Sequence, residues 1–113
     1  MQQIVDLHND AAFRALGVDL VSIAFDSSQE LAAGAAEYGI TGVPLLSDAD
    51  HEVSQAYEVL QWAVASGEPG HTFILVDGDG TVVWIQDYGA PENRGVMYVE
   101  PAEIAEQVRA ALR

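Results

Sequence analysis

Residues 72–86 read TFILVDGDGTVVWIQ, and this stretch decides the fold. Two runs rich in β-branched and aromatic residues, at 72–76 and 81–86, flank the turn segment DGDG at 77–80. Glycines in such a segment readily adopt the positive φ angles that tight hairpin turns require. The stretch therefore predicts a β-hairpin whose strands are residues 72–76 and 81–86.

The N-terminal part of the chain predicts a helix followed by a strand. Apolar residues recur at three- and four-residue spacing from Ile4 to Leu16, and Gly17 follows as a C-terminal stop. Residues 18–25 carry apolar side chains on both faces, which is typical of a parallel strand covered on both sides. We therefore expect this strand to lie at the centre of a sheet.

Helical and extended patterns continue to alternate up to the hairpin. Ser27 and Glu30 have the spacing of a capping box, which predicts a helix that ends near Gly39. A short strand is expected at residues 43–46. Asp50 is the expected N-cap of the next helix. The predicted buried stripe of that helix consists of Val53, Ala56, Tyr57 and Leu60.

The hairpin is followed by a loop at residues 88–99 and a last helix. Pro101 stands where the first helical residue is expected, because proline is favoured at that position. The apolar stripe of this helix is Ile104, Val108, Ala111 and Leu112. Alternating helices and strands that end in a hairpin and a helix predict an α/β fold, a mixed sheet with helices on both faces.

Composition restricts the class of protein. A chain of 113 residues with 50% hydrophobic content fits a single compact domain. Eighteen acidic residues against four arginines and no lysine give a formal net charge of −14, which opposes binding to nucleic acid and to anionic membranes. No apolar run is long enough to span a membrane and no export signal is evident, so a cytoplasmic location is expected.

Cysteine is absent from the chain. The chain therefore has no disulfide, no thiolate nucleophile and no thiolate metal site. Other motifs are equally lacking: there is no nucleophile elbow, phosphate loop or dinucleotide fingerprint, so hydrolase and nucleotide-dependent activities have no motif to support them. The sequence offers no side chain that would replace a thiolate.

Six segments resemble, in order and spacing, the alkyl hydroperoxide reductase/thiol-specific antioxidant group of peroxiredoxin-like redoxins. The resemblance extends from about Gly17 to the C-terminus, and it implies a thioredoxin fold and a family activity of antioxidant thiol peroxidase or thiol-disulfide exchange without a cofactor. The segments are LGVDLVSI (16–23), DS (26–27), YGI (38–40), PLLSD (44–48), AY (56–57) and TFILVDGDG (72–80).

The resemblance also implies that the family's first core strand and its cysteine motif are missing from these residues. The family places its reactive cysteine at the N-terminus of the first helix, after a first core strand, where the helix dipole lowers the pKa of the thiol. Residues 1–4 resemble the interior of that helix, so the strand and the cysteine motif would precede Met1. Either the sequence starts at an internal methionine of a longer redoxin, which we favour, or it is a short relative that has lost catalysis.

We therefore expect residues 1–113 to form one redoxin domain that is incomplete at its N-terminus and inactive as it stands. In the implied topology the missing first strand lies between residues 18–25 and 72–76, so its loss leaves a gap in the sheet. Unpaired strand edges tend to recruit another chain, and a homodimer is the expected partner state. A complete form would also need a thiol reductant or a protein partner.

Two groups of residues are candidate sites. The family often carries a cis-proline before the strand at residue 72, and here Gly70 and His71 stand there instead, so the resemblance places His71 and Thr72 at the edge of the pocket. The alternative is a loop histidine with no such role. Trp84, Tyr88 and Tyr98 are a candidate partner surface for a non-catalytic binding or assembly module. Alternatively, these aromatic residues join the sheet to a helix.

Two acidic clusters are better explained as local structure than as metal sites. Asp77, Asp79 and Gly80 are similar to a calcium loop, but Val82 stands where that loop needs glycine. The second cluster lies in the cap and first turn of a helix, where acidic side chains are favoured electrostatically. Its members are Asp48, Asp50, His51 and Glu52. No metal site is expected.

Overall fold

The computed structural model describes residues 1–64 and 66–112 and has an α/β architecture. This confirms the fold class and the element order expected from the sequence. The elements in chain order are α1 (Gln2–Asn9), α2 (Ala11–Arg14), β1 (Ser22–Ala24), α3 (Ser28–Tyr38), β2 (Leu45–Ser47), α4 (Glu52–Ala56), a 3₁₀ turn (Val59–Trp62), β3 (Thr72–Val76), β4 (Val82–Asp87), a second 3₁₀ turn (Pro91–Asn93) and α5 (Pro101–Ala111).

The first predicted helix is divided in two at Asp10. The backbone of Asp10 is extended, with φ −72° and ψ 124°, and its carboxylate accepts a hydrogen bond of 2.9 Å from the backbone N–H of Phe13. An aspartate that caps a new helix in this way cannot also continue the preceding one. The break turns Phe13 into the core, and the second helix ends before Gly17, which has a φ of +70°.

The strands form two separate sheets of two strands each. β1 and β2 are parallel, with Ile23 opposite Leu46, whereas β3 and β4 are antiparallel, with Ile74 opposite Ile85 and an irregularity between Leu75 and Val76. Among residues 1–64 and 66–112 no ladder joins β1 to β3. The expected single mixed sheet is thus present as two halves, with the break where the resemblance places the missing strand.

The predicted central strand at residues 18–25 is reduced to the three residues Ser22–Ala24. The partner strand β2 is preceded by Pro44, which has no N–H to donate to a longer ladder. The ladder therefore ends, on its N-terminal side, with the hydrogen bond from the Ser22 N–H to the Pro44 carbonyl oxygen. The side chains of Val21 and Ile23 are 48% and 43% exposed. Expecting a strand buried on both faces was therefore wrong.

The hairpin confirms the sequence prediction. Asp77 organises the turn, because its carboxylate accepts hydrogen bonds of 2.9 and 3.0 Å from the backbone N–H groups of Asp79 and Thr81. Gly80 has the positive φ, +82°, that the turn requires. The carboxylate of Asp77 thus serves the backbone of the turn.

The start of α3 is also confirmed. The Ser27 hydroxyl accepts from the Glu30 N–H at 3.1 Å, and the Glu30 carboxylate accepts from the Ser27 N–H at 2.9 Å. These two bonds are the capping box that the sequence predicted. The helix ends at Gly39, whose φ of +66° satisfies the left-handed C-terminal cap.

The start of α4 shares its capping bonds between two aspartates: the expected residue Asp50 accepts from the Glu52 N–H at 3.2 Å, but it is not alone. Asp48, not Asp50, accepts from the N–H groups of Val53 and Ser54, at 3.0 and 2.8 Å, and also from the Ser54 hydroxyl at 2.7 Å. His51 is in the left-handed region, with φ +66°, and this turn of the chain brings the earlier aspartate beneath the helix. Consequently Ser54 is buried, and three members of the predicted stripe, Val53, Ala56 and Tyr57, are exposed.

The core lies around the hairpin and α5 rather than beneath β1 and β2. α5 contacts α1, α2 and β4, and its side chains Ile104 and Val108 are buried as predicted, whereas Leu112 is exposed. The buried apolar cluster consists of Leu7, Phe13, Leu75, Tyr88, Val99, Ile104, Ala105 and Val108. The β1–β2 half therefore contributes little to the core and keeps apolar side chains open to solvent.

Candidate functional site

His71 precedes β3 by one residue and is held by the N-terminal helix. Its Nε2 lies 2.9 Å from the side-chain oxygen of Gln3 in α1, and its ring packs edge-on against Phe73 with the centroids 5.0 Å apart. The side chain is half-buried. The structure thus brings together the start of α1 and the start of β3, which are 68 residues apart in sequence.

The hydrogen bonds of Gln3 determine which ring nitrogen of His71 carries the proton. Its side chain is buried and pairs with the backbone of Val99, accepting from the N–H at 2.7 Å and donating to the carbonyl at 2.9 Å. This pairing identifies which atom of the Gln3 amide is the oxygen, and an amide oxygen only accepts. His71 must therefore donate from Nε2, which leaves Nδ1 as the acceptor of the neutral ring. We call these residues, Gln3, His71 and Val99, the Gln3 clasp.

The electrostatic surroundings favour the neutral form of His71. Burial lowers its pKa below the ordinary value, the nearby terminal amino group lowers it further, and Asp87 opposes both with a smaller effect. A neutral imidazole whose Nε2–H is engaged by an amide is a structural donor. No thiol is available for it to activate, because the chain contains no cysteine.

Thr72 is bonded to a buried carboxylate. Its hydroxyl donates to Asp87 at 2.7 Å, and the other oxygen of Asp87 accepts from the Ala90 N–H at 2.9 Å and from the Asn93 side-chain amide at 3.1 Å. Asp87 is only 2% exposed. Burial acts to raise the pKa of this carboxyl, but the hydrogen bonds outweigh it, so the pKa lies below the ordinary value. An anion stabilised in this way is a weak base, and it does not activate the Thr72 hydroxyl.

The three aromatic residues of the candidate partner surface have different surroundings. Trp84 is half-buried and Tyr88 is 3% exposed, and their ring centroids lie 6.5 and 5.9 Å from that of Phe73. Tyr98 is exposed, and its hydroxyl donates to Asp6 at 2.6 Å, which raises the pKa of Tyr98 to about 12. The three rings do not form one exposed patch, and their role in partner binding stays a prediction.

Sequence reasoning missed Gln3, Asp87 and Val99, which organise this region. Asp87 has a weak local signal, because it ends a strand just before Gly-Ala-Pro at 89–91. Gln3 has none, since its hydrogen-bond partners lie 68 and 96 residues away. Residues whose role depends on such distant partners leave no pattern in a short window of sequence.

A cleft of about 540 Å³ lies elsewhere, beside the segment that leads into β1. Its lining includes Phe13, Val18, Leu20 and Pro44 together with Arg14, and it does not include His71 or Thr72. Within residues 1–64 and 66–112 no group of three histidine, cysteine or acidic side chains could hold a metal ion. The same residues contain no helix that is long and apolar enough to cross a bilayer.

The model of the AhpC/TSA family matches residues 1–85 of the chain. The match begins earlier than the resemblance drawn from Gly17 onward, so it includes α1 and α2, and it ends within β4. His71, Thr72 and Trp84 fall inside it, whereas Tyr88 and Tyr98 lie beyond it. No curated protein and no solved structure matches the chain.

Proposed function

The chain belongs to the AhpC/TSA family, and from that premise we propose that these 113 residues of a thioredoxin-like redoxin domain, as they stand, do not catalyse thiol peroxidase or thiol-disulfide chemistry and serve as a binding or assembly module. The observation that carries the proposal is the absence of cysteine from all 113 residues. The family chemistry requires a thiolate that attacks a peroxide or a disulfide, and hydroxyl and carboxylate groups do not replace it at neutral pH.

The groups at the edge of the expected pocket support this proposal. His71 is bonded to Gln3, and Thr72 is bonded to Asp87, so both side chains already have structural partners. A catalytic pair needs a nucleophile beside a base that can take its proton. The Asp87 carboxylate, whose pKa is lowered, is a poor base for the Thr72 hydroxyl. These contacts hold the start of β3 in place.

The open strands support a binding role. Exposed apolar side chains lie on both halves of the sheet, and the backbone amides of residues 18–21 make no backbone hydrogen bond to the described residues. Within residues 1–64 and 66–112, β1 and β3 each pair with a strand on one side only, and such unpaired edges readily bind another chain. The exposed apolar residues near them include Val21, Ile23, Leu46, Val83 and Ile85. We propose that a second copy of the chain pairs with these edges in a homodimer located in the cytoplasm.

The absence of catalysis is tested by a peroxidase assay. With hydrogen peroxide and a dithiol reductant, the purified chain is expected to show no sustained turnover above buffer, because it has no thiolate to regenerate. An active thiol peroxidase assayed in parallel shows that the conditions support the reaction. Turnover by the chain that persists after chelation of trace metals would contradict the proposal.

The homodimer is tested by solution mass. Sedimentation at about 0.15 M salt, which screens the charge of −14, is expected to give twice the chain mass of 12.1 kDa. Ile23→Lys places a charge on exposed β1 and is expected to give the monomer, because charged side chains oppose strand pairing. Val53→Lys makes the same change on exposed α4 and should leave the dimer intact. A wild-type chain that is monomeric at every concentration would refute the dimer.

A further inference from the structure

The chain has two sulfur atoms, both in methionines, and the structure gives them different surroundings. Met97, in the loop before α5, is 55% exposed. Met1 is half-buried against α3. Its sulfur packs so closely on Gly34 of that helix that a Cβ atom added to Gly34 would lie 2.8 Å from the Met1 Sδ. A dissolved oxidant therefore reaches Met97 more readily than Met1.

The Met97 sulfur lies against the backbone at the candidate pocket edge. A Cβ built on Gly89 would be 3.2 Å from Met97 Sδ and 2.6 Å from the His71 backbone nitrogen. A side chain at position 89 would therefore clash with the His71 backbone and crowd the Met97 sulfur, which packs closely on Gly89. Two backbone hydrogen bonds connect the segments around this contact. The Tyr88 N–H donates to the His71 carbonyl at 2.8 Å, and the Val96 N–H donates to the Tyr88 carbonyl at 2.9 Å.

We propose that Met97 is a modification site at which a hydroperoxide oxidises the thioether to the sulfoxide. A lone pair on Sδ attacks the terminal peroxide oxygen, so that the S–O bond forms as the O–O bond breaks. The attacked oxygen gives up its proton as the sulfoxide forms, and the departing oxygen takes up a proton and leaves as water or as an alcohol. Each event consumes one hydroperoxide and oxidises the sulfur by two electrons. The reaction is stoichiometric and is independent of the function proposed above.

The modification changes how the loop is anchored. Sulfoxide is polar and larger than the thioether, so the side chain loses its apolar contact with the face of Gly89. Met97 follows Val96, whose N–H donates to the Tyr88 carbonyl, and only Tyr98 separates it from Val99 in the Gln3 clasp. Oxidation of Met97, an exposed residue, is thereby coupled to the contact between α1 and the start of β3.

Peptide mapping during hydrogen peroxide treatment of the full chain tests the site. Met97 is expected to gain one oxygen severalfold faster than Met1, and the ratio should fall to about one in urea, where burial no longer distinguishes the two sulfurs. Oxidation of Met1 at an equal or greater rate in the folded chain would overturn the proposal.

Hydrogen exchange tests the consequence. After oxidation, the Val96 amide is expected to exchange severalfold faster than in the untreated chain. Met97→Leu retains an apolar contact and cannot form a sulfoxide, so peroxide should leave its Val96 exchange unchanged. Met97→Gln should exchange faster without peroxide. Unaltered Val96 exchange in fully oxidised wild-type chain would overturn the coupling, and so would a peroxide response that persists in Met97→Leu.

Discussion

Replacing Asp87 with alanine is expected to lower the free energy of unfolding by about 3 kcal/mol, measured by urea denaturation followed by circular dichroism. The carboxylate is buried and accepts hydrogen bonds from Thr72, from the Ala90 N–H and from Asn93. Alanine removes all of these bonds and leaves polar groups near the core without an acceptor. This junction joins the start of β3, the end of β4 and the loop that follows.

Two variants make the measurement specific. Asp19→Ala removes the same charge from an exposed side chain that makes no hydrogen bond or ion pair with residues 1–64 and 66–112, so it should change stability by less than about 0.5 kcal/mol. Asp87→Asn retains one oxygen acceptor, so its free energy of unfolding should fall by roughly half as much as that of the alanine variant. Equal stability of Asp87→Ala and Asp19→Ala would show that the carboxylate does not organise the junction.

The contribution of Asp87 to the stability of the folded chain also depends on pH. Its pKa in the folded chain lies below the ordinary value of 3.8, so the unfolded chain takes up a proton first as the pH falls. The stabilisation is therefore fully present above about pH 3.8 and is lost as the pH falls through the lower, folded-state pKa. The difference in stability between wild type and Asp87→Asn should narrow in that acidic range and stay constant from pH 5 to about 7.

Replacing Gln3 with alanine is expected to lower the free energy of unfolding by about 2–3 kcal/mol. The Gln3 side chain is buried, pairs with both backbone groups of Val99 and accepts from His71. Its loss leaves a donor and an acceptor of Val99 unmatched, and it separates α1 from the start of β3. Urea denaturation measures the change.

The matched control for that variant is Gln29→Ala. Gln29 is exposed in the first turn of α3, so the substitution removes the same atoms without removing a buried contact. Its stability should stay within about 0.5 kcal/mol of wild type. A Gln3→Ala variant as stable as this control would show that the Gln3 clasp is dispensable.

The sequence by itself determined the features whose causes lie within a few residues of one another. The hairpin depends on Asp77 and Gly80 between two β-rich runs, and the start of α3 depends on Ser27 and Glu30. The order of elements, the membership of the AhpC/TSA family and the absence of a thiol were likewise accessible from the residues. Each of these rests on local pattern or on composition.

The candidate site was predictable only in part. The resemblance indicates His71 and Thr72, but of their partners Asp87 has only a weak local signal and Gln3 has none. A glutamine near the N-terminus has no local pattern that specifies a histidine 68 residues later. The sequence places Tyr88 on a candidate partner surface, whereas packing against Phe73 buries it.

Only the tertiary structure decided how the strands meet and which apolar side chains are covered. The apolar run at residues 18–25 has the composition of a central strand, yet a strand needs partners on its edges, and its ladder with β2 spans only three residues. Leu112 continues the apolar stripe of α5, yet it is 45% exposed, whereas Ile104 and Val108 are buried. Composition sets what a segment can bury, and the neighbours that the fold supplies determine what it does bury.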